Sequence, residues 1–460
     1  MKASHTRGGI DARFDHPTLV SQAGLVPAMR LAQDAGLSEL ADRHVRLGGS
    51  IGANAGAKIA SIVAGMVCGA DSIDDLDVIR HGGLPLLFDG IRAPSTLGSF
   101  LRYFGIGHLT QLQHVAHGVL VRLAAQTPLL PGVDQLAFVD MDSKTQQVHS
   151  KKQGAAYGHK NLFGLDYQLI TLGTPLAAPV ILDSRLRGGN AHSARNAASL
   201  LRRSLTTARA CGATGPILVR MDSAFFNGEV ITEVITAGAW FSITARHSGN
   251  VTAAIHDIPE PHWQPVTFAT PIRDQDTGQL ITHAEIAETS LTVLTNITRH
   301  PTGPATLRLI VRRVPITTPH TDQQPLFPAY RYHAILTNSP LEKTQAEACH
   351  RQRAGSIEHV LGQLATSTLT HFPSHAFIAN AAWLILATIT HNLLRATGCL
   401  ATGRFARAHT TTLRRTLITV AAQLTRQARR TTLRLPTHWP HRNAWLLLFD
   451  RAHSPPPLQH

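Results

Sequence analysis

Two short apolar runs, each closed by an acid, constrain this chain more than any other feature. One is Leu136-Ala137-Phe138-Val139-Asp140-Met141-Asp142, and the other is Ile217-Leu218-Val219-Arg220-Met221-Asp222. Short apolar runs of this kind, bounded by turn signals, form buried strands. In open α/β sheets, ligands collect beyond the carboxyl ends of the strands, so Asp142 and Asp222 are candidates for one shared site. Paired carboxylates there suit divalent ions, which activate the attacking oxygen of a phosphodiester reaction and stabilise the leaving one. Mg²⁺ takes oxygen donors and keeps several waters, so few protein ligands are needed. Glu358, in the string His350-Arg351-Gln352-Arg353-Ala354-Gly355-Ser356-Ile357-Glu358, is the candidate third carboxylate, carried by a helix. The competing reading is structural: an Asp at a strand end commonly caps a turn.

The surrounding pattern supports an α/β core. Leu165 to Leu172, Pro179 to Ser184 and Trp240 to Ala245 read as further strands, and Ala194 to Ala210 and Asn227 to Ala237 as helices. Strands alternating with helices over 133–246 give the first part of the core. Residues 1–132 read as a helical N-terminal DNA-binding region. Ser72 and Asp75 open one of its helices as a capping pair, and Pro131 marks a linker at its end. From 247 to 330 Pro and Thr rise and short β-type runs such as Leu307 to Val311 appear, which predicts a β-rich insertion outside the central sheet. Tyr332 to Thr337 returns as a core strand, opening a second core part over 331–400. After 341 the pattern is helical, with 401–460 forming basic C-terminal helices and a Pro-rich tail. Arg187-Gly188-Gly189-Asn190 reads as a turn, its glycines free to take positive φ.

Charge adds a partner. The 460 residues carry a formal net charge of +14, and a surplus of that size favours a polyanion. No Asp or Glu lies between Glu358 and Asp450, a stretch that holds ten arginines, Arg426, Arg429 and Arg430 among them. A solvated basic face would carry balancing acids, so these arginines are expected to follow DNA phosphates. The four cysteines form no CxxC pair, which argues against a zinc ribbon or a disulfide framework. The N-terminus lacks a signal-peptide pattern, and no apolar run reaches the roughly 20 residues of a membrane span. The expectation is a cytoplasmic protein without a membrane partner.

A set of strings, taken in order, carries a resemblance. Val139–Ser143, Lys152–Lys160, Leu218–Phe226, Ala239–Arg246 and Phe327–His333, with Gly69–Asp75 and Ser374–Leu384, resemble bacterial insertion-sequence transposases of the DDE type. Among these the chain looks most like the IS-thirteen-eighty family of the IS-four superfamily, over residues 10 to 450. The resemblance implies an α/β, ribonuclease-H-like core with a β-rich insertion between the second Asp and the Glu. It implies Asp142, Asp222 and Glu358 as catalytic and metal-holding residues, with Asp140 as the alternative first carboxylate. It implies Mg²⁺, replaceable by Mn²⁺, and DNA as partner: the element's terminal inverted repeats and a target, engaged by a homodimer. It further implies DNA contacts at Arg351 and Arg353, and at Tyr157, His159 and Lys160, in a bacterial protein that joins the nucleoid when bound.

The chain departs from the family's pattern in the helix signature, which runs Tyr, two residues, Arg, three residues, Glu, six residues, Lys. Counted from Glu358, the Arg position holds Ala354, with Arg353 one step away, and His350 replaces Tyr with the same offset. Ala365 stands at the Lys position, and Lys144 stands where the family has Thr. One residue in a helix turns a side chain by about 100°. Three functions therefore stand side by side: a transposase, a DNA-binding protein derived from one that has lost catalysis, and a two-metal nuclease without strand transfer.

Overall fold

The computed structural model describes residues 10–158, 161–273, 278, 280–294, 303–316 and 329–454. The chain forms two compact units, Met1–Pro128 with Thr366–His460, and Leu129–Ala365. The first unit opens with strand β1 (Leu19–Val20). Helices α1 (Leu25–Asp34), α2 (Leu37–His44), the single turn α3 (Gly49–Gly52), α4 (Ala55–Cys68), α5 (Pro94–Arg102) and α6 (Ile106–Gln126) follow. Ser72 and Asp75 cap each other: the Ser72 N–H donates to Asp75 Oδ2 at 3.1 Å and the Asp75 N–H to Ser72 Oγ at 3.3 Å. The element they start is a 3₁₀ turn, Asp74–Arg80, where an α-helix was expected.

The second unit is built on one mixed sheet. Its elements in chain order are β2 (Ala137–Gln147), β3 (Ala156–Tyr157), β4 (Phe163–Gly173), β5 (Val180–Gly188), α7 (Ala197–Ala210), β6 (Ile217–Met221), α8 (Gly228–Thr236) and β7 (Trp240–Thr244). Then come α9 (Gly249–His256), β8 (Gln264–Arg273), β9 (Leu280–Val293), β10 (Ala305–Pro315), β11 (Tyr330–Thr337) and α10 (Lys343–Ala365). The strand order is β5-β4-β2-β6-β7-β11-β10-β9-β8, with β3 on β4 beyond the end of β5. β5, β4 and β2 are antiparallel neighbours, while β2, β6 and β7 run parallel. Parallel neighbours need a crossover, and α7 and α8 supply those that lead into β6 and β7.

The insertion corrects one expectation. β8, β9 and β10 form an antiparallel meander that pairs onto β11, and β11 pairs with β7. It therefore extends the central sheet edgewise instead of standing outside it. Ile286, Ile310 and Ile335, from three neighbouring strands, share one apolar cluster with Ala346 of α10. Burying that cluster needs the strands side by side. Gly189 also has another cause than the one expected: its φ is not positive. A Cβ there would collide with the carbonyl oxygens of Gly164 and Ala156.

The chain then completes the first unit with α11 (Phe377–Ala401), α12 (Thr410–Leu413), β12 (Ala422–Gln427), β13 (Arg430–Arg434) and α13 (Arg442–His453). α11 is long and apolar enough to cross a membrane by length and composition, contrary to the reading that no stretch is. It is nearly all buried, the core helix of its unit, packed against α4 and α6. The expected run of C-terminal helices is broken by a β hairpin, because β12 pairs with β1 from the start of the chain. Two of the ten arginines point inward. Arg414 donates to the carbonyls of Val67 at 3.3 Å and Met66 at 3.1 Å, closing the C-terminus of α4, where a cation is favourable. Arg395 donates to the carbonyl of Ala408 at 2.6 Å and to that of Ala406.

Trp383 anchors the first unit, fully buried with its indole N–H donating to the Thr368 carbonyl at 2.8 Å. Trp383→Ala is expected to cost about 3–5 kcal/mol, read from the urea midpoint, and Trp383→Phe distinctly less. The four cysteines are free thiols. Burial pushes Cys68 and Cys211 up to about 12, so both stay protonated at pH 8. Iodoacetamide should leave them unmodified in the folded chain and label all four cysteines in urea.

Candidate active site beside two parallel strands

Register places the acids. In the parallel pair β2–β6, Asp140 lies beside Arg220 and Met141 beside Met221. Arg220 in turn lies beside Ser242 of β7, and Met221 beside Ile243. Side chains alternate between faces along a strand, so Asp140, Arg220 and Ser242 form one row across three strands. Asp142, Asp222 and Thr244 stand two residues further on, on the same face: Asp222 follows the end of β6 and Thr244 ends β7, whereas Asp142 lies inside β2, which does not close at the acid as expected but runs on to Gln147, paired with β4.

The inner row is a sealed structural layer. Arg220 donates from Nε to Asp140 Oδ1 at 2.6 Å and from Nη2 to Oδ2 at 2.8 Å, with both side chains almost wholly buried. Its Nη1 donates to the Cys349 carbonyl of α10 at 2.7 Å, and its guanidinium lies 4.2 Å over the Phe138 ring. Both oxygens of Asp140 are thus engaged, which takes the alternative first carboxylate out of the open site. His350 of α10 sits beside this row, with Nδ1 2.7 Å from Ser242 Oγ and Nε2 3.0 Å from Thr244 Oγ1. Burial, then the charges of Arg353 and Arg220, push its pKa down to about 3, so the ring is neutral at physiological pH. His350 therefore fastens α10 to β7 from the position where the signature has Tyr.

The outer row is the candidate site. Asp142 and Asp222 are both only partly exposed. Asp142 Oδ1 accepts from the Ser143 N–H at 2.7 Å, and Asp222 Oδ1 accepts from the Ala224 N–H at 3.0 Å, capping the turn Ser223–Phe225. Burial raises the Asp222 pKa, and the charge of Asp142 raises it further, against the pull of Arg353 and two backbone N–H groups. Two carboxylates sensing each other in a half-buried site need a counter-cation. Arg353 is that cation: its Nη1 lies 3.0 Å from Asp142 Oδ2.

Glu358 does not join them. It is exposed, and α10 runs unbroken from Lys343 to Ala365, so no bulge absorbs the extra residue before it. Glu358 stands five positions after Arg353, a rotation of about 140° along a helix. With Arg353 turned to Asp142, Glu358 faces away. Among the described residues, no three His, Cys, Asp or Glu side chains gather closely enough to hold a metal ion. Asp142 and Asp222 fit Mg²⁺ as a pair, since one or two carboxylates suffice when waters and substrate phosphates complete the shell.

The other residues singled out from the sequence lie elsewhere. The Arg351 guanidinium rests 4.8 Å over the Phe268 ring and 3.4 Å from Glu347, which also pairs with Arg312 at 2.6 Å. Tyr157 is exposed on β3, its ring 5.3 Å from that of Phe163. His159 and Lys160 lie outside the described residues. Arg426, Arg429 and Arg430 are exposed on the β12–β13 hairpin of the first unit. Arg220 was missed as a site residue, although a signal existed: an Arg inside an apolar strand needs a carboxylate in register, and Asp140 stands inside the other.

Residues 2–454 match the family described as transposase DDE domain group 1. The cryo-EM structure of a piggyBac transposase synaptic complex with hairpin DNA is 9% identical, covering 96% of this chain and 83% of that one at a TM-score of 0.40. No curated protein matches the chain.

The inner row gives a direct test. Arg220→Met strands the buried Asp140 charge and should cost about 3–5 kcal/mol in urea unfolding. The double variant Asp140→Leu/Arg220→Met should recover most of that loss, because neither charge is then left alone.

Proposed function

We propose, for a chain that belongs to the transposase DDE domain group 1 family, that it cuts DNA at the terminal inverted repeats of its own insertion sequence and joins the freed 3′ ends to target DNA. The observation that carries the reading is the placement of Asp142 and Asp222 side by side just past the last pair of the parallel β2–β6 ladder, close enough for the Asp142 charge to act on Asp222. A ribonuclease-H-like core is the finer reading of the mixed sheet. Membership of the IS-thirteen-eighty group rests on the ordered strings. The working form is a homodimer on paired DNA ends, in the bacterial cytoplasm and at the nucleoid while bound.

Asp142 and Asp222 would hold Mg²⁺ or Mn²⁺. When bound, such ions supply the charge that activates the attacking oxygen and stabilises the leaving oxygen of a phosphodiester. Arg353 balances Asp142, and its guanidinium would suit a phosphate of the cut strand if Asp142 held a cation instead. Asp140 and Arg220 hold the two strands in register beneath the site. Glu358 becomes the third ligand on one condition, that α10 rewinds by one residue when DNA seats. That would turn the carboxylate by about 100°, onto the face of Arg353. Arg351, Tyr157, His159 and Lys160 stay proposed DNA contacts.

A second reading has its own support. Arg353 on Asp142 and the outward Glu358 suit a DNA-binding protein derived from a transposase and stripped of catalysis. A nicking assay on a plasmid carrying the element's ends separates the two. Asp142→Asn and Asp222→Asn should each lower Mg²⁺-dependent nicking at least about a hundredfold while keeping DNA affinity. Arg353→Ala should strengthen Mn²⁺ binding in calorimetry. A wild-type chain that binds these ends and never nicks them, with Mg²⁺ or Mn²⁺, would leave the second reading standing.

A further inference from the structure

The arginines of the acid-free segment are sorted by the β12–β13 hairpin. Ala428 and Arg429 form its two-residue turn, with Ala428 at φ 49°. Positive φ is what the primed turns of tight hairpins demand, and those turns match the strand twist. Cross-strand pairing then divides the side chains between two faces. Leu424 lies opposite Leu433 and Arg426 opposite Thr431. On the other face, Gln423 lies opposite Arg434, Thr425 opposite Thr432 and Gln427 opposite Arg430.

The two faces differ in kind. Leu424 and Ala422 are buried on the inner face, packed onto the first unit. On the outer face Gln423, Gln427, Arg430, Thr432 and Arg434 are exposed and Thr425 is half-buried. That face of the hairpin holds no acid, and the exposed large apolar side chain beside it is Leu19 of β1, next to Gln423; one apolar side chain at the margin disfavours a membrane as partner. Arg434 Nε lies 3.3 Å from Thr425 Oγ1, so at least one guanidinium is steered across this face. β13 pairs with β12 alone in its sheet.

We infer that the hairpin is a base-reading ribbon for the major groove of duplex DNA. Gln427, Arg430 and Arg434 meet base edges, while Arg426 and Arg429 hold phosphates at the rim. The inference rests on the proposal that the chain acts on DNA, and it deepens it. The major groove admits a two-stranded ribbon, Arg reads guanine O6 and N7, and Gln reads adenine N6 and N7. Arg426 on the inner-face side and Arg429 in the turn project away from that face, where contacts position without carrying sequence.

The test uses the full chain and the duplex it enriches from a randomised duplex pool, compared with a scrambled duplex. Gln427→Ala with Arg430→Ala should lower the ratio of the two affinities by at least about tenfold. Arg426→Ala with Arg429→Ala should weaken both duplexes alike and flatten the salt dependence by about 0.9 for each phosphate no longer neutralised. Replacing guanine by 7-deazaguanine, which removes N7, should reproduce part of the first effect in the wild type and add little in the Gln427/Arg430 variant. Unchanged thermal melting of each variant shows that folding is kept. The inference is overturned if the Gln427/Arg430 variant keeps the ratio, if 7-deazaguanine changes nothing, or if the chain binds duplex DNA and enriches no sequence. The cutting reading fails separately, by loss of Mg²⁺-dependent nicking in the wild type.

Discussion

Arg220 is buried in the middle of a sheet, where a lone guanidinium would cost several kcal/mol. It is tolerated because Asp140 accepts from it twice, Phe138 covers its face and the Cys349 carbonyl takes a third donor. The same contacts bind β2 to β6 and hold α10 across them. A one-residue slip of β2 against β6 would separate the two charges and move every side chain of the strand to the other face. Fixing that register brings Asp142 and Asp222 together just past the last pair of the β2–β6 ladder. The buried pair is therefore the foundation of the site and not a member of it.

Helix phase is the second constraint. α10 is fastened at His350 by two hydroxyls of β7, and at Arg353 by Asp142. Once those two side chains are turned to the sheet, the direction of every later residue follows from the helical repeat. The family's three-residue gap between Arg and Glu would leave the two about 40° apart, both facing the aspartates. Here four residues lie between Arg353 and Glu358, and the carboxylate turns outward. The site is thus balanced by a guanidinium in this conformation.

The basic segment shows how similar residues take different work from their positions. Arg395 is buried and Arg414 half-buried, and both bond backbone carbonyls. Arg426 and Arg430 sit on opposite faces of one hairpin because their positions differ in parity. Net charge alone cannot separate these roles, since an arginine on a helix terminus and one on an open ribbon count equally.

Much of this was legible in the sequence because it is local. The apolar strands that carry the acids, the core strand at Tyr332–Thr337 and the Ser72–Asp75 cap follow from short patterns whose physics lies within a few residues, whereas the run of β2 beyond Asp142 to Gln147 depends on its pairing with β4. The hairpin left a local signal too, the alternation of Ala422 and Leu424 with Gln423 and Thr425, but its pairing with β1 joins positions some 400 residues apart. The sequence ranked Asp142 ahead of Asp140 as the first carboxylate, although the two stand two residues apart on the same face of one strand. Only the neighbouring strand, by placing Arg220 beside Asp140, decided which carboxylate stays open. The insertion joined the sheet because its isoleucines needed partners on β11 and α10, a demand that appears only when those elements meet. The sequence by itself determined which residue types stand along these strands. Tertiary structure decided which are engaged and which face outward, because register and helix phase are set by contacts between segments far apart in the chain.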